Sequence, residues 1–239
     1  MTTAVTRARR ASTPFLPEFY RAHADFWPIV RAAQVFADYD DWPEVAEYAR
    51  AFACEPKVSF ELSAPKPRRR RAPAQLDLDS MYDAQIVRGV VPTRARCWHD
   101  FSNALVWATF PNAKRALHAR QHAAIRAWIP AGATRLPGAR SREMDALALL
   151  DEGGVVQVGE RAVVFGHALY EGAVLMRQAG AECIDGPRRV VAREVLALDA
   201  IAGEGDAELL LRVDRALTEL VRYATLTPAS FQHARRLFG

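Results

Sequence analysis

The chain has 239 residues, of which 50% are hydrophobic and 25% are charged, and its formal net charge is +4. This length and composition allow one sizeable hydrophobic core without requiring a second domain. They exclude a membrane-spanning helix, because no apolar run approaches the about 20 residues that a bilayer requires.

The N-terminal segment is basic and small but has no apolar stretch, so we expect no secretory signal. The three cysteines, Cys54, Cys97 and Cys183, are widely spaced and form no CxxC pair. This spacing argues against a disulfide framework and predicts a reducing, cytoplasmic location.

Almost all of the positive charge is carried by arginine, and lysine occurs only at Lys57, Lys66 and Lys114. Such usage often reflects the base composition of the genome, so we do not favour nucleic acid as the partner. It stays an alternative, because a run of four arginines lies within residues 63–75. We expect this Pro- and Arg-rich segment to be a solvated loop, since like charges repel each other.

The N-terminal third predicts a flexible basic tail followed by two short helices. Residues 1–13 lack periodicity and form the predicted tail. Apolar residues then recur at helical spacing from Asp25 to Phe36, and a second pattern runs from Asp40 or Asp41 to Phe52. Alternation in 58–62 predicts a short strand.

The middle of the chain predicts three more helices. One runs from Asp79 or Ser80 to Arg88 and is ended by Gly89. After an extended segment at 90–94, a helix is predicted from about Trp98 to Thr109, and another begins at Pro111 and ends before Pro130.

The C-terminal part combines strands and helices. We interpret 146–150 and 155–158 as a hairpin, because two glycines follow Asp151-Glu152 and Val-Val-x-Val favours β structure. The further predicted elements are strands at 161–165, 182–184 and 190–196 and helices at 166–178 and 208–226. We therefore predict that residues 14–239 form a single α+β domain that is mostly helical, with a small, mainly antiparallel sheet.

His99, Asp100 and Asn103 are the candidate catalytic residues. His99 and Asp100 fall in the first turn of their helix, where backbone N–H groups favour an ionised carboxylate. Asn103 lies one turn later on the same face as His99. Such a set can orient water or hold a polar substrate, whereas the plainer interpretation is that Asp100 caps the helix.

His167 and Glu171 are the candidate metal ligands, because residues four apart share a helix face. The pair lacks the second histidine of an HExxH motif, and the alternative is a local hydrogen bond. His118 and His122 are also four apart, but no cysteine or carboxylate lies near them in sequence, so we interpret them as a partly exposed helix face.

Arg94, Lys114 and Asp145 are the candidate substrate-binding residues. Arg94 and Lys114 would bind an anionic group. Asp145 enters an apolar segment, where a charge requires a partner, and the candidates are Arg94, Arg142 and Lys114.

These residues lie in motifs that resemble a known family. The segments YDAQIVRGVVPTR, HDFSNALVWATFPNAK, DALALLDEGG and FGHALYE follow, in this order, the pattern of the bacterial domain of unknown function 3025 family. The chain departs from the pattern at Asp83, where glutamate is usual, and at His118, where asparagine is usual. The resemblance implies a bacterial, cytoplasmic protein and no particular activity.

The sequence thus leaves three hypotheses. The first is a metal- or acid/base-assisted hydrolase acting on a small or anionic molecule, which requires the motifs around His99 and His167 to meet in one cleft. The second is a nucleic-acid-binding protein, and the third is a structural module whose polar residues satisfy one another. The identity of any cofactor stays open, with a divalent metal as the candidate.

Overall fold

The computed structural model describes residues 13–54, 58–63, 76–130, 132–178, 191–234 and 237–238. The predicted tail at 1–13 and the Pro- and Arg-rich loop at 63–75 lie outside these residues, except for Thr13 and Ser63. The predicted strand at 182–184 and the third cysteine also lie outside them. Cys54 and Cys97 are free thiols.

The N-terminal helices are shorter and tighter than predicted. 3-10 turns at Phe19–Arg21 and Ala24–Ile29 precede a single α-helical turn, α1 (Val30–Gln34), and a further 3-10 helix spans Val45–Ala51. Pro28 lies inside the second of these turns. Because proline lacks an N–H donor and clashes with the preceding turn, it prevents a continuous α-helix there.

A two-stranded parallel sheet follows. Strand β1 (Ser59–Leu62) pairs with β2 (Val90–Thr93), with Ser59 opposite Val90. Helix α2 (Tyr82–Val87) leads directly into β2 through Gly89, whose φ of 93° is a conformation that glycine adopts without strain. The helix, its terminating glycine and the extended segment were all predicted from the sequence.

Helices α3 (Trp98–Thr109) and α4 (Pro111–Trp128) follow each other at the predicted positions and are joined through Phe110. Pro111 occupies the first turn of α4, where its missing N–H is not needed. Every residue from Phe101 to Trp107 is buried. Helix α3 is therefore an interior helix surrounded by aromatic side chains, and any polar residue on it must find partners inside the protein.

Residues 142–153 form a helix, α5 (Arg142–Gly153), so the predicted strand at 146–150 is wrong. The Ser141 hydroxyl accepts a hydrogen bond from the Met144 N–H at 3.2 Å and caps the helix. Glu143 and Asp145 then lie in the first turn, where the helix dipole favours negative charge. The fully buried Ala146, Leu147 and Leu150 form the inner face of the helix.

The second sheet has four strands in the order β4-β3-β5-β6, and its members are β3 (Gly154–Val158), β4 (Arg161–Val164), β5 (Arg193–Leu198) and β6 (Gln232–His233). The pairs β3–β4 and β5–β6 are antiparallel, whereas β3–β5 is parallel. The α+β class is therefore confirmed. The prediction of one mainly antiparallel sheet is corrected, because the described residues form two sheets and each contains a parallel pair.

Two further helices complete the described fold. Helix α6 (His167–Gln178) follows β4, and α7 (Asp206–Tyr223) packs along α4. Asp214 of α7 accepts hydrogen bonds from the backbone N–H groups of Asn112 and Ala113, at 3.3 and 2.8 Å. It thereby satisfies backbone N–H groups at the start of α4 that have no partner within the helix. No helix in the described ranges is long and apolar enough to cross a membrane.

Candidate functional site

His99 and His167 meet where the beginnings of α3 and α6 come together. Their Nε2 atoms are 3.0 Å apart, and the two rings are tilted by 70°. The two motifs that the sequence singled out, 68 residues apart, therefore share one location. The geometric condition for a common site is thus fulfilled.

The other nitrogen of each ring has a hydrogen-bond acceptor as its partner. His167 Nδ1 lies 2.8 Å from the backbone carbonyl oxygen of Asp151, and His99 Nδ1 lies 2.9 Å from Glu171 Oε2. A carbonyl or a carboxylate oxygen only accepts, so both Nδ1 atoms carry the proton. In the neutral rings, both Nε2 atoms then present lone pairs, and these lone pairs face each other.

Glu152 supplies a carboxylate to the same place. One of its oxygens lies 3.9 Å from His99 Nε2 and the other lies 3.9 Å from His167 Nε2. The three ligand atoms lie within 4.8 Å of one another, and they form a group that could hold a metal ion. Burial, together with the nearby charges of Asp151 and Glu171, raises the pKa of Glu152.

The two histidines differ in their affinity for a proton. Burial alone would lower the pKa of His99, but its hydrogen bond to Glu171 and the charge of Glu152 outweigh burial and raise it. Burial lowers the pKa of His167 well below its ordinary value, and the charges of Lys114 and His99 add to this effect. One positive charge is therefore favoured between the rings, and His167 is the ring that stays neutral.

Lys114 and Asp151 form a buried ion pair beneath His167. The Lys114 side chain is fully buried, and its ammonium group contacts Asp151 Oδ1. Burial opposes ionisation of Asp151, but the charge and hydrogen bond of Lys114, with contributions from His167 and His118, together outweigh burial and hold the pKa of this carboxyl well below its usual range. Lys114 was predicted to bind substrate, but its charge is already matched by Asp151 inside the protein.

Asp100 and Arg94 bind each other through both carboxylate oxygens. Arg94 donates from its NH2 group to Oδ1 at 2.6 Å, and from Nε and its backbone N–H to Oδ2 at 3.0 and 2.6 Å. The Asp100 carboxylate thus joins the start of α3 to the end of β2. It holds the helix beginning, and with it His99, in place. The Arg94 side chain remains 58% exposed.

Asn103 lies one turn after His99 and contacts Tyr82 of α2. Its Nδ2 donates to Tyr82 Oη at 3.3 Å. His118 lies beside them, with Nδ1 2.9 Å from Asp83 Oδ1. His118 is only 1% exposed, so the interpretation of its helix face as partly exposed is wrong for this residue.

Asp145 does not join the other predicted site residues. Its side chain is exposed in the first turn of α5, where water and the helix dipole stabilise the charge. The expectation that it needs an ionic partner arose from the predicted strand, which does not form.

Asp151 and Glu152 are the site residues that sequence reasoning missed. They were interpreted as turn residues, but they occupy the last turn of α5. A Cβ atom on Gly166 would lie 2.5 Å from the Cα of Gly153 and 2.6 Å from the carbonyl oxygen of Glu152. This close approach brings the end of α5 against the start of α6, and the glycines at 153, 154 and 166 are the sequence signal that indicates it.

Comparison with known proteins adds a family and no function. Residues 72–162 match the model of the family described as a protein of unknown function, DUF3025. The predicted family is confirmed over this segment, which contains His99 and Glu152 and ends before His167. Neither a curated protein nor a solved structure matches the chain.

Proposed function

We propose that this chain, whose residues 72–162 match the DUF3025 family model, binds a divalent metal ion and uses it in a hydrolytic reaction. The ligands would be His99, His167 and Glu152. The observation that carries the proposal is the pair of Nε2 atoms that face each other 3.0 Å apart while both Nδ1 protons are committed elsewhere.

Two facing lone pairs repel each other unless a cation lies between them. In zinc sites the Zn–N distance is about 2.0–2.1 Å, so two nitrogens on a tetrahedral ion are about 3.3 Å apart. The observed 3.0 Å is close to this separation. The Glu152 oxygens, at 3.9 Å from each nitrogen, reach ligand distance through a small rotation of an exposed side chain.

The partners of the Nδ1 atoms support the same proposal. A histidine that binds a metal almost always donates its other N–H to a carboxylate or a backbone carbonyl, which fixes the ring and its tautomer. Glu171 has this role for His99, and the carbonyl of Asp151 has it for His167. Glu171 was predicted as a ligand, and the proposal now assigns it to the orientation of His99.

Two histidines and one glutamate are a ligand set of catalytic zinc sites, in which a further position stays open to water or substrate. A metal in such a site lowers the pKa of water to about 7 and polarises a carbonyl or phosphoryl oxygen. His99 is 27% and Glu152 42% exposed, whereas His167 is 3% exposed. Substrate would therefore approach from the side of Glu152. Arg94 is the candidate contact for an anionic group, because its guanidinium is exposed and its NH1 group takes no part in the pair with Asp100.

Metal content tests the proposal. Purified protein should retain close to one zinc or other divalent ion per chain after reconstitution and dialysis, measured by atomic emission. His99→Ala, His167→Ala and Glu152→Ala should lose it, and Glu171→Gln should weaken binding by roughly 10- to 100-fold. His233→Ala, an exposed histidine in β6, is the matched control. Wild-type protein that stays metal-free after reconstitution would refute the proposal.

A proton is the alternative occupant of the same space. The raised pKa of His99 and the lowered pKa of His167 favour one proton on His99 that is shared with His167 Nε2. The site would then be an acid/base pair without a metal, with His99 as the proton carrier. Nitrogen-15 NMR of the histidine rings distinguishes the two, because a metal-free site shows a protonated His99 Nε2 and a loaded site does not.

A further inference from the structure

A second set of polar side chains lies next to the metal site, between α2, α3 and α4. It consists of Tyr82, Asn103, Trp107 and His118, called here the Tyr82 cluster. Asn103 contacts the Tyr82 hydroxyl, and the His118 ring lies 5.8 Å from the ring of Tyr82. The same imidazole stacks on Trp107, with ring centres 5.6 Å apart and planes tilted by 6°.

Several buried polar atoms of the Tyr82 cluster have no hydrogen-bond partner among the described residues. They are Asn103 Oδ1, His118 Nε2 and Trp107 Nε1. Asn103 is 7% exposed, and the other two residues are 1% exposed. Because His118 donates from Nδ1 to Asp83, its Nε2 is an acceptor in the neutral ring. Two buried acceptors thus lack donors, and the Trp107 indole N–H, which only donates, lacks an acceptor; both are costly unless a further molecule satisfies them.

The electrostatic surroundings favour a donor that is neutral or positive. Burial raises the pKa of Tyr82 well above its usual range, and the charges of Asp151, Asp100 and Asp83 raise it further. Negative potential therefore reaches the Tyr82 hydroxyl. The Lys114 ammonium lies over the Trp107 ring, 5.8 Å from its centroid, but is paired with Asp151.

One residue of the Tyr82 cluster reaches the surface. Tyr82 is 41% exposed, whereas the unpartnered atoms of the other three residues are buried, so a molecule that enters at Tyr82 must displace its side chain to reach them. Asn103 follows His99 by four residues on α3, which places the two side chains on one helix face, about 5–6 Å apart at Cβ. A molecule bound at Asn103 would thus extend to His99 and Glu152.

We propose that the Tyr82 cluster is the specificity pocket of the metal site and binds a substrate end that carries N–H donors, an ammonium or a primary amide group. This proposal rests on the proposed function for the role of the pocket in catalysis. Asn103, predicted as a catalytic residue, becomes the acceptor that selects the substrate.

Binding of three small probes to metal-free protein tests the pocket independently of the metal. Butylammonium, pentanamide and pentanoate have similar length and differ in their polar end. The readout is the indole N–H signal of Trp107 in a proton–nitrogen NMR spectrum, assigned with Trp107→Phe. Butylammonium or pentanamide should shift this signal saturably, and the comparison shows which donor is preferred. Pentanoate should not shift it.

Variants at Asn103 show whether the side chain at this position acts as the acceptor for the probe. Asn103→Leu should abolish probe binding, whereas Asn103→Asp, which adds a charge at the acceptor, should tighten butylammonium binding by roughly tenfold because charge-assisted hydrogen bonds are stronger. Thr109→Val, on the same helix but outside the cluster, should bind like wild type. If Asn103→Leu does not fold, Asn103→Asp decides the test.

Two results would overturn the pocket. One is that pentanoate binds as well as butylammonium, and the other is that none of the probes moves the Trp107 signal, in which case buried water satisfies the acceptors. Metal content of the same variants is measured separately. Retained probe binding in a protein that never binds metal would refute the proposed function and leave the pocket intact.

Discussion

At the scale of single residues, the roles of His99 and His167 are decided by the partners of their Nδ1 atoms. Sequence spacing placed both residues at helix beginnings, and the structure has them there. Sequence spacing could not predict that His167 contacts the Asp151 carbonyl or that Glu171 contacts His99, because these contacts join residues 16 and 72 positions apart. Without these contacts, neither the protonated nitrogen nor the direction of the lone pairs can be inferred.

The Lys114–Asp151 pair leads to a prediction about stability. Asp151→Ala leaves the fully buried Lys114 ammonium without its counter-charge, and breaking a buried pair in this way costs about 3–5 kcal/mol of unfolding free energy. The double variant Lys114→Met/Asp151→Ala should recover most of the loss, since no buried charge remains. Guanidinium denaturation monitored by circular dichroism measures both.

The exposed pair of Arg126 and Asp79 is the matched control for this experiment. Asp79 is 71% exposed, so Asp79→Ala should change the unfolding free energy by no more than about 1 kcal/mol. Equal losses for Asp151→Ala and Asp79→Ala would mean that Lys114 reaches water and that the pair does not support His167.

At the scale of secondary structure, the sequence predicted elements well where the start and stop signals are local. Pro111 separates helix α3 from helix α4, and Pro130 follows the end of α4, so these bounds agree with the proline positions. Helix α5 was missed because its apolar run is short and is followed by two glycines, a pattern that helices and hairpins share. Its packing against α4 and α6 selects the helix.

The close approach of α5 and α6 predicts opposite effects for two glycines. Gly166→Ala places a Cβ 2.5 Å from the Gly153 backbone, so the start of α6 must move and His167 must move away from Glu152. We expect lower thermal stability and weaker metal binding. Gly172→Ala, inside α6 with nothing within 4 Å of its Cβ, should instead raise stability by about 0.5–1 kcal/mol.

Thermal denaturation and metal titration of both variants check this prediction. If Gly166→Ala keeps wild-type metal affinity, the position of α6 does not control the site. If Gly172→Ala is also destabilised, alanine on α6 is harmful for a reason other than contact with Gly153.

Glu204 and Arg212 predict an acid-dependent change at the start of α7. The two carboxylate oxygens of Glu204 accept hydrogen bonds from Arg212 at 2.7 Å each, and this contact lowers the pKa of Glu204. A carboxyl with a lowered folded-state pKa contributes stability that is complete above its ordinary pKa of 4.5 and is lost as the pH falls through the lowered value. Glu204→Gln should therefore lower the melting temperature at pH 7 more than at pH 3. Melting curves that differ from wild type equally at both pH values would contradict the assignment.

At the scale of the whole molecule, the site combines three helix ends that lie far apart in the chain. Helices α3, α5 and α6 bring His99, Glu152 and His167 together because a common apolar core packs their inner faces. Sequence periodicity identified most of these apolar faces, but it does not show which faces pack against each other. For this reason the two halves of the site could be identified from the sequence, but their contact in space could not be predicted.

The charge of the whole molecule bears on nucleic acid as an alternative partner, which stays a prediction. Many described arginines are paired with carboxylates, among them Arg96 with Asp41 and Arg161 with Asp206, which weakens the net field of the surface. Any retention on immobilised DNA or RNA should therefore depend on residues 66–71, which contain the arginine run, and should fall with salt. A deletion of 66–71 that retains full binding would exclude this segment as the contact.

Metal binding should stabilise the whole fold without being required for it. Because the ligands lie at helix ends supported by a large core, the metal-free protein should fold cooperatively. A metal at 100 times its Kd then adds about 2.7 kcal/mol of unfolding free energy, which raises the melting temperature of a chain of this size by roughly 5–10 °C. Scanning calorimetry with and without zinc measures the shift, and His99→Ala should show none. Unfolding on chelation alone would instead mean that the ion is structural, and open access at Glu152 would then have no catalytic purpose.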